Sequence, residues 1–239
     1  MSNELFDEDD APHVGEEAQW VSLSDLMTGL MMIFMLIAVA YMMKVESQTY
    51  KVKQVAVLYD EVRLEIYEDL MREFGKDLPV WDAEINKDLS IRFRNPDILF
   101  NTGKDELKPK FQDILRDFWP RYTRIITSNK YDGTIQEVRI EGHTSSVWGP
   151  ATPEEEAYFN NMELSQSRTR STLRFVLGLP EVAAHLTWLR KHVTANGLSS
   201  SHPILGPEGS EDMGRSQRVE FHIRTDADAW MATIQESLK

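Results

Sequence analysis

Cysteine is absent from the 239-residue chain, and lysine and arginine are absent from its first 43 positions. Without cysteine the chain forms no disulfide, no thiolate metal site and no cysteine nucleophile, although a location outside the cytoplasm stays open. Residues 1–43 hold eight acidic side chains, so they carry −8 of the formal net charge of −13. The sequence has no basic run typical of nucleic-acid binders, and we expect no nucleic-acid partner.

Signatures of catalysis are missing as well. The six histidines include no HxH or HxxxH pair, and there is no nucleophile elbow, phosphate loop or paired-carboxylate signature. We therefore predict no catalytic residue, no metal site, no cofactor and a role other than that of an enzyme. His143 is expected to be a structural turn histidine whose ring is satisfied by hydrogen bonds.

One long apolar run stands out near the start of the chain. Leu26–Met43 holds 18 positions without a charge, which is transmembrane length once the residues from Leu23 are added. Trp20 and Tyr41 stand where interfacial aromatic side chains are usual. The run lacks a positive n-region and exceeds the roughly 7–15 residues of a signal-peptide core. We predict an uncleaved transmembrane helix over residues 20–43.

Asp25 is the one ionisable side chain within this predicted helix. A carboxylate near hydrocarbon costs roughly 2.5–3.5 kcal/mol on insertion scales, so it is a functional-site hypothesis. Helical spacing places Ser24, Thr28 and Gly29 on or beside the same face. Such a small, polar stripe favours close packing against neighbouring helices. The alternative is a tolerated acidic charge at a helix N-terminus.

The segments on either side of this helix differ in character. Residues 1–19 are predicted to be a disordered acidic tail, either simply solvated or used to dock on a basic partner surface. Residues 44–79 are predicted to form a helix with a heptad-like apolar seam. The seam consists of Val52, Val55, Tyr59, Val62 and Ile66. It fits pairing of two identical chains, a segment that blocks a channel, or packing on the chain's own domain.

From about residue 80 the pattern becomes mixed and predicts a folded domain over 80–225, followed by a short amphipathic segment over 226–239. Strands are predicted at Leu89–Phe93, Ile98–Phe100, Ile135–Glu141, His192–Leu198 and Gln217–Thr225. Helices are predicted at Leu107–Thr127, Glu154–Leu177 and Glu181–Lys191. Strands interleaved with helices indicate an α/β sandwich, a sheet with helices on one side.

Four segments of this domain resemble the OmpA-like peptidoglycan-binding family. They are ILFNTGKDELKP (Ile98–Pro109), IEGHTSS (Ile140–Ser146), NMELSQSR (Asn161–Arg168) and GRSQRVEF (Gly214–Phe221). Their order and spacing match across about residues 88–225. The resemblance implies a βαβαβ-type sandwich.

The membrane end resembles the MotB family of stator subunits, in which an aspartate begins a single anchor helix. Here that segment is DLMTGLM, Asp25–Met31. The acidic tail and the brief spacer before the domain depart from MotB and are more similar to ZorB, the MotB-related membrane subunit of Zorya anti-phage defence systems.

This resemblance implies a subunit of an ion-driven rotary motor. Asp25 would carry a proton or sodium ion, with Ser24, Thr28 and Gly29 along the ion path or in helix packing. Five copies of a membrane partner of the MotA or ZorA type would surround a homodimer of this chain. The alternatives are a flagellar stator subunit of the MotB type and a passive cell-wall tether without ion transport.

For the distal domain the resemblance implies binding of the diaminopimelate in the peptidoglycan stem. The residues at the family's motif positions are Thr144, Ser145, Asn161, Leu164 and Arg168, with His143 and Arg218 as pocket-forming or structural neighbours. Arg168 would clamp a ligand carboxylate. Ser145 replaces the family's aspartate, which would pair with the ligand ammonium. Glu141 or the run Glu154–Glu156 is a hypothetical substitute.

The predicted topology involves a conflict. Lys44, Lys51 and Lys53 follow the helix, and the positive-inside rule alone would place them and the distal domain in the cytoplasm. Peptidoglycan lies outside the bacterial inner membrane, so the family resemblance implies a cytoplasmic N-terminus and a periplasmic domain.

Overall fold

The computed structural model describes residues 14–149 and 151–226, and within them the side chains of 23–50, 61–149 and 151–226. The chain divides into two compact units, Met1–Gln54 and Val55–Lys239.

The first unit contributes the beginning of one long helix, α1, which spans Val14–Phe74. Its portion Leu23–Tyr50 is long and apolar enough to cross a membrane. The segments predicted separately as the end of the tail, a transmembrane helix and a linker helix thus belong to a single helix. Residues 1–13 of the predicted tail and 227–239 of the predicted C-terminal segment lie outside the described residues.

The second unit contains a five-stranded sheet with strand order β1-β2-β5-β3-β4. Only the pairing of β3 with β4 is parallel. The strands are β1 Ala83–Ile85, β2 Ser90–Phe93, β3 Ile135–His143, β4 Val193–Gly197 and β5 Arg218–Thr225. The helices are α2 Leu78–Trp81, α3 Pro96–Leu99, α4 Pro109–Ile126, α5 Glu154–Leu177, α6 Leu186–His192 and α7 Met213–Ser216. Short 3₁₀ helices lie at Asn129–Tyr131 and Pro180–His185.

The predicted fold class is confirmed, because α4 and α5 both pack on one face of this mixed sheet. The strand predicted at Ile98–Phe100 is wrong. Residues Pro96–Leu99 form α3 instead, because the Asn95 side chain accepts a hydrogen bond from the Asp97 backbone N–H at 3.0 Å and Pro96 fits the first helical turn. Phe100 makes only an isolated bridge to Leu107.

Aromatic side chains of α4 form the centre of the core. Phe118 is fully buried and packs against Tyr122 and Phe221, with ring centroids 5.0 and 5.1 Å apart. Aromatic pairs of this kind contribute about 0.5–1.5 kcal/mol each beyond their burial. Pro120 lies within α4, yet the helix continues to Ile126.

The C-terminal end of α1 is part of the same core. Ile66, Leu70 and Phe74 are fully buried, and Val62 packs beside them. Arg121 of α4 secures this end, since its Nε donates to Glu73 Oε1 at 2.7 Å. Of the three alternatives for the predicted seam, packing on the chain's own domain is therefore observed for Val62 and Ile66. The other three seam side chains lie outside the described ones.

A pair of glycines allows α5 to lie directly on the sheet. Gly142 of β3 and Gly197 of β4 are register partners. A Cβ on Gly197 would lie 2.3 Å from the backbone N of Gln166, and one on Gly142 would lie 2.6 Å from Thr169 Cγ2. The Gln166 side chain in turn accepts from Gly197 N–H at 2.8 Å and donates to the Ala195 carbonyl at 3.2 Å. This contact fixes the position of α5 over the ends of β3 and β4.

We expect Gly197→Ala to destabilise the full-length protein by about 1–3 kcal/mol or more, because the added methyl meets backbone that cannot move aside. Thermal unfolding in detergent measures this loss. Gly206→Ala is the matched control, since its Cβ would meet only Ser210 O at an ordinary 3.6 Å. Equal melting temperatures for the two variants would contradict the close packing of α5 on Gly197.

Candidate functional site

The segment that follows β3 is held between the end of β4 and α5. The Thr144 backbone N–H donates to the Ser199 carbonyl at 2.9 Å, and Leu198 N–H donates to the Gly142 carbonyl at 2.9 Å. Ser199 N–H donates to Ser165 Oγ of α5 at 3.1 Å. These bonds fix the turn after β3 against the face of α5.

All five residues predicted to bind peptidoglycan line one cleft at this junction. The cleft has a volume of about 160 Å³. Its predicted lining residues are Thr144, Ser145, Asn161, Leu164 and Arg168. Sequence reasoning missed the others, which are Thr102, Gly103, Val147, Trp148 and Gln217. Several of these lie within or directly after the quoted family-like segments, and that proximity was the available signal.

Arg168 is a buried cation that no described carboxylate contacts directly. It is 8% exposed, and it donates from Nε to the Lys104 carbonyl at 2.9 Å and from Nη2 to the Asn101 carbonyl at 3.3 Å. Burial lowers the pKa of Arg168 to about 10, while the charge of Asp105 opposes that change. It forms no ion pair with any residue in the described part of the chain. Because burying an uncompensated charge is costly, a ligand carboxylate would be strongly favoured here.

Two further polar side chains of the cleft lack partners. Thr144 and Asn161 are each 3% exposed. Thr144 Oγ1 and Asn161 Nδ2 form no hydrogen bond with a described residue. A buried polar group left unpaired costs about 1–3 kcal/mol. Together with the Arg168 guanidinium, these groups suit a ligand rich in oxygen acceptors.

The acidic substitutes suggested for the position of Ser145 are wrong. Ser145 is 7% exposed and lines the cleft. Glu141 lies on the face of β3 opposite α5, where its Oε1 is 3.7 Å from His222 Nδ1. Glu154–Glu156 form the exposed first turn of α5 and do not line the cleft.

His143 and Arg218 line an adjoining cavity of about 200 Å³, which shares Arg168 with the cleft. Arg218 donates to Glu220 and, through Nη1, to the carbonyls of His202 at 3.2 Å and Ser216 at 3.0 Å. These partners all belong to its own domain and support the structural interpretation of Arg218.

The expectation that His143 is satisfied by hydrogen bonds is wrong. Neither ring nitrogen has a hydrogen-bond partner among the described residues, because Glu220 beside it is already bound by Arg218. His143 Nε2 lies 3.8 Å from Glu220 Oε1. Burial, with the nearby charge of Arg218, lowers the pKa of His143 to about 4, so the ring is neutral near pH 7.

Glu141, His143 and Glu220 converge closely enough to hold a cation, with ligating atoms within 4.8 Å of one another. Histidine spacing could not reveal this group, because its members come from two strands. Glu220 also accepts from Arg92 Nε at 2.8 Å in addition to its bond from Arg218. A metal ion would therefore have to compete with two guanidinium groups.

The residues predicted to act in the membrane lie on consecutive turns of α1. Thr28 Oγ1 donates to the Ser24 carbonyl at 2.8 Å. Asp25 and its neighbours are exposed, and a Cβ on Gly29 would meet nothing within 4 Å. No described part of this chain covers this face, which leaves the polar stripe open to other helices.

We expect the free energy of unfolding to fall between pH 6.5 and pH 4 by up to about 3 kcal/mol because of His143. In this range the unfolded chain binds a proton on this ring and the folded chain does not. His143→Gln should therefore flatten the pH dependence measured by chemical denaturation in detergent. His222, whose pKa Glu141 raises, acts with the opposite sign in both proteins and cancels from the comparison.

His192→Gln, a change outside this cluster, is the matched control and should keep the wild-type pH dependence. An unchanged acid slope in His143→Gln would show that His143 is not buried as a neutral ring.

No protein-family model matches the chain. Among solved structures, a MotB-like protein from Desulfovibrio vulgaris is similar, with a TM-score of 0.48 and 23% identity over 69% of this chain and 91% of that one. The cell wall anchor of the T6SS from Pseudomonas aeruginosa has a TM-score of 0.44 and 20% identity, covering 65% of this chain and 96% of that one.

A sequence relative is much more similar. The Zorya protein ZorB of Escherichia coli is 50% identical over 220 residues, which is 92% of this chain and 93% of that protein. Identity at this level over nearly the whole of both chains shows common family membership, and the chain therefore belongs to the ZorB family.

Proposed function

We propose that this chain is the membrane-anchored, peptidoglycan-tethered subunit of an ion-driven rotary motor that serves anti-phage defence. Membership of the ZorB family supports the defence context. The apolar part of α1 supports a single-pass anchor in the bacterial inner membrane. In this proposal the chain has no enzymatic role, because it binds the wall, carries an ion and transmits force.

The observation that carries the wall-binding part is the buried, unpaired guanidinium of Arg168. The diaminopimelate of a peptidoglycan stem offers a free carboxylate, which a guanidinium can bind through two parallel hydrogen bonds. Thr144 Oγ1 and Asn161 Nδ2 have no other described partner and are available to the same ligand. Binding of the ligand carboxylate would convert the buried charge of Arg168 into an ion pair with no net charge.

The motor part rests on Asp25. A low-dielectric environment favours a protonated carboxyl group, whereas a hydrated path favours the charged form, so alternating access would load and release an ion. One elementary charge that crosses 100 mV releases about 2.3 kcal/mol. Ser24, Thr28 and Gly29 would line the path or contact partner helices. The translocated ion is a proton or sodium.

By the family resemblance, the proposed assembly contains two copies of this chain surrounded by five copies of a MotA- or ZorA-like membrane subunit. The N-terminus would be cytoplasmic and the distal domain periplasmic, where the peptidoglycan lies. Lys44, Lys51 and Lys53 would then follow the helix on the periplasmic side, against the usual charge bias. Insertion together with the partner subunit would offset that bias.

Two alternatives differ from this proposal at defined points. A flagellar stator subunit of the MotB type would use the same residues, but membership of the ZorB family favours defence. A passive cell-wall tether would need Arg168 and the cleft but would have no use for Asp25.

Arg168→Ala should reduce retention of the full-length protein on purified peptidoglycan by tenfold or more. Arg168 is the one arginine among the residues that line the cleft, so the variant has no guanidinium to bind a ligand carboxylate. Co-sedimentation with sacculi measures retention. Arg170→Ala is the matched control, since it removes an exposed arginine two positions along the same helix.

Arg168→Lys keeps the charge and should retain part of the binding, although a lysine cannot make the two parallel bonds. If the folded Arg168→Ala variant is retained as well as the wild type, this cleft is not the peptidoglycan-binding site.

Asp25→Asn should abolish phage protection while leaving membrane insertion and assembly intact, because the neutral amide can neither take up a proton near pH 7 nor balance the charge of a sodium ion. Protection is measured by plating efficiency, and assembly by co-purification with the partner subunit. Glu46→Gln removes an exposed acid elsewhere on α1 and should protect normally. If Asp25→Asn protects as well as the wild type, the passive tether replaces the motor proposal.

A further inference from the structure

The cleft that contains Arg168 continues into a second chamber of about 320 Å³. The two spaces share three lining residues, Gly103, Trp148 and Leu164. The second chamber is lined in addition by Asp105, Asn160, Glu163 and Ser167. A ligand that reaches Arg168 can therefore extend past Trp148 without leaving the groove.

The two chambers have opposite charge. The first contains the cationic Arg168 and no carboxylate, whereas the second contains the carboxylates of Asp105 and Glu163 and no cation. Neither acid forms an ion pair with a residue that the structure describes. From side chains in the described part of the chain, Asp105 accepts a single long hydrogen bond, from Ser171 Oγ at 3.3 Å. Asp105 directly follows Lys104, whose carbonyl binds Arg168, so the opposite charges lie close together.

Trp148 stands where the chambers meet. Its side chain is 43% exposed, and it lines both spaces. An ammonium group near an indole face gains a cation–π attraction of about 0.5–1 kcal/mol at an exposed site. Two carboxylates and an indole together form a suitable environment for a primary ammonium group.

We propose that the second chamber is an ammonium subsite formed by Asp105, Glu163 and Trp148. This inference rests on the proposed binding of diaminopimelate: Arg168 holds a carboxylate of the diamino acid, and the subsite holds its ammonium group. Ser145 supplies no charge at its position, and the acids come instead from α5 and from the loop after Phe100. The groove is thereby specific for zwitterionic ligands over simple dicarboxylates.

The subsite does not rest on the acidic pair alone. The adjoining chamber already contains Thr144 Oγ1 and Asn161 Nδ2, two buried polar atoms without a described partner. Their side chains are each 3% exposed. These atoms and Arg168 indicate a polar ligand whose remainder would extend past Trp148 towards the acids.

The test measures binding of free meso-diaminopimelate and of pimelate to the full-length protein in detergent by titration calorimetry. Pimelate has the same seven-carbon dicarboxylate backbone and lacks both amino groups. We expect Glu163→Gln and Asp105→Asn each to weaken diaminopimelate binding, and the double variant to weaken it about tenfold or more. Pimelate binding should be weak and equal in all variants.

Glu155→Gln is the matched control, because it neutralises an exposed acid on the same helix outside the groove. If the wild type binds neither ligand nor peptidoglycan, the proposed wall binding itself fails, and the subsite fails with it. If the wild type binds diaminopimelate and the folded double variant binds it equally well, the ammonium subsite alone is overturned. The subsite is also overturned if the double variant loses pimelate binding as strongly as diaminopimelate binding, since the acids would then affect the shape of the groove and not the recognition of an ammonium group.

Discussion

The close contact of α5 with the sheet is the constraint on which the distal domain depends. It exists because Gly142 and Gly197 are register partners and neither has a side chain to hold the helix away. The same helix supplies Asn161, Leu164 and Arg168 to the cleft, and Ser165 bonds to the segment that positions Thr144. The geometry of the cleft therefore follows from the packing of the core, because the backbone contacts between α5 and the strands fix the positions of the residues that line it.

The buried charged side chains on the two faces of this sheet differ in their partners. On the face opposite α5, Glu220 is bound by Arg92 and Arg218, so buried charges compensate one another. In the cleft, Arg168 is buried against carbonyl oxygens and forms no ion pair with a described residue. Buried polar groups without a partner are typical of ligand-binding sites, because they lower the stability of the fold and are retained there for function. This contrast separates the structural arginine Arg218 from the ligand-binding candidate Arg168.

The proposed function requires that force be transmitted between the membrane anchor and the wall-binding domain. The last turns of α1 belong to the domain core through Ile66, Leu70 and Phe74, and Arg121 ties Glu73 to α4. Load on this end of α1 would thus reach the aromatic core directly. The proposed function combines this mechanical connection with two charged groups of separate purpose, Asp25 for the ion and Arg168 for the wall.

The sequence by itself determined the apolar span with Asp25, the α/β class and the bounds Glu154–Leu177 of α5, because these follow from local composition, periodicity and capping. The family resemblance named Asn161, Leu164 and Arg168, and in the structure their helical spacing brings them to one side of α5. Thr144 and Ser145 were named in the same way, whereas tertiary structure alone brought the remaining lining residues to the groove. Trp148, Gln217 and Asp105 come from distant segments, and the acids first suggested from sequence lie elsewhere, because strand parity turns Glu141 to the opposite face. Local pattern specifies an element and its faces, but which faces meet is settled only by long-range packing.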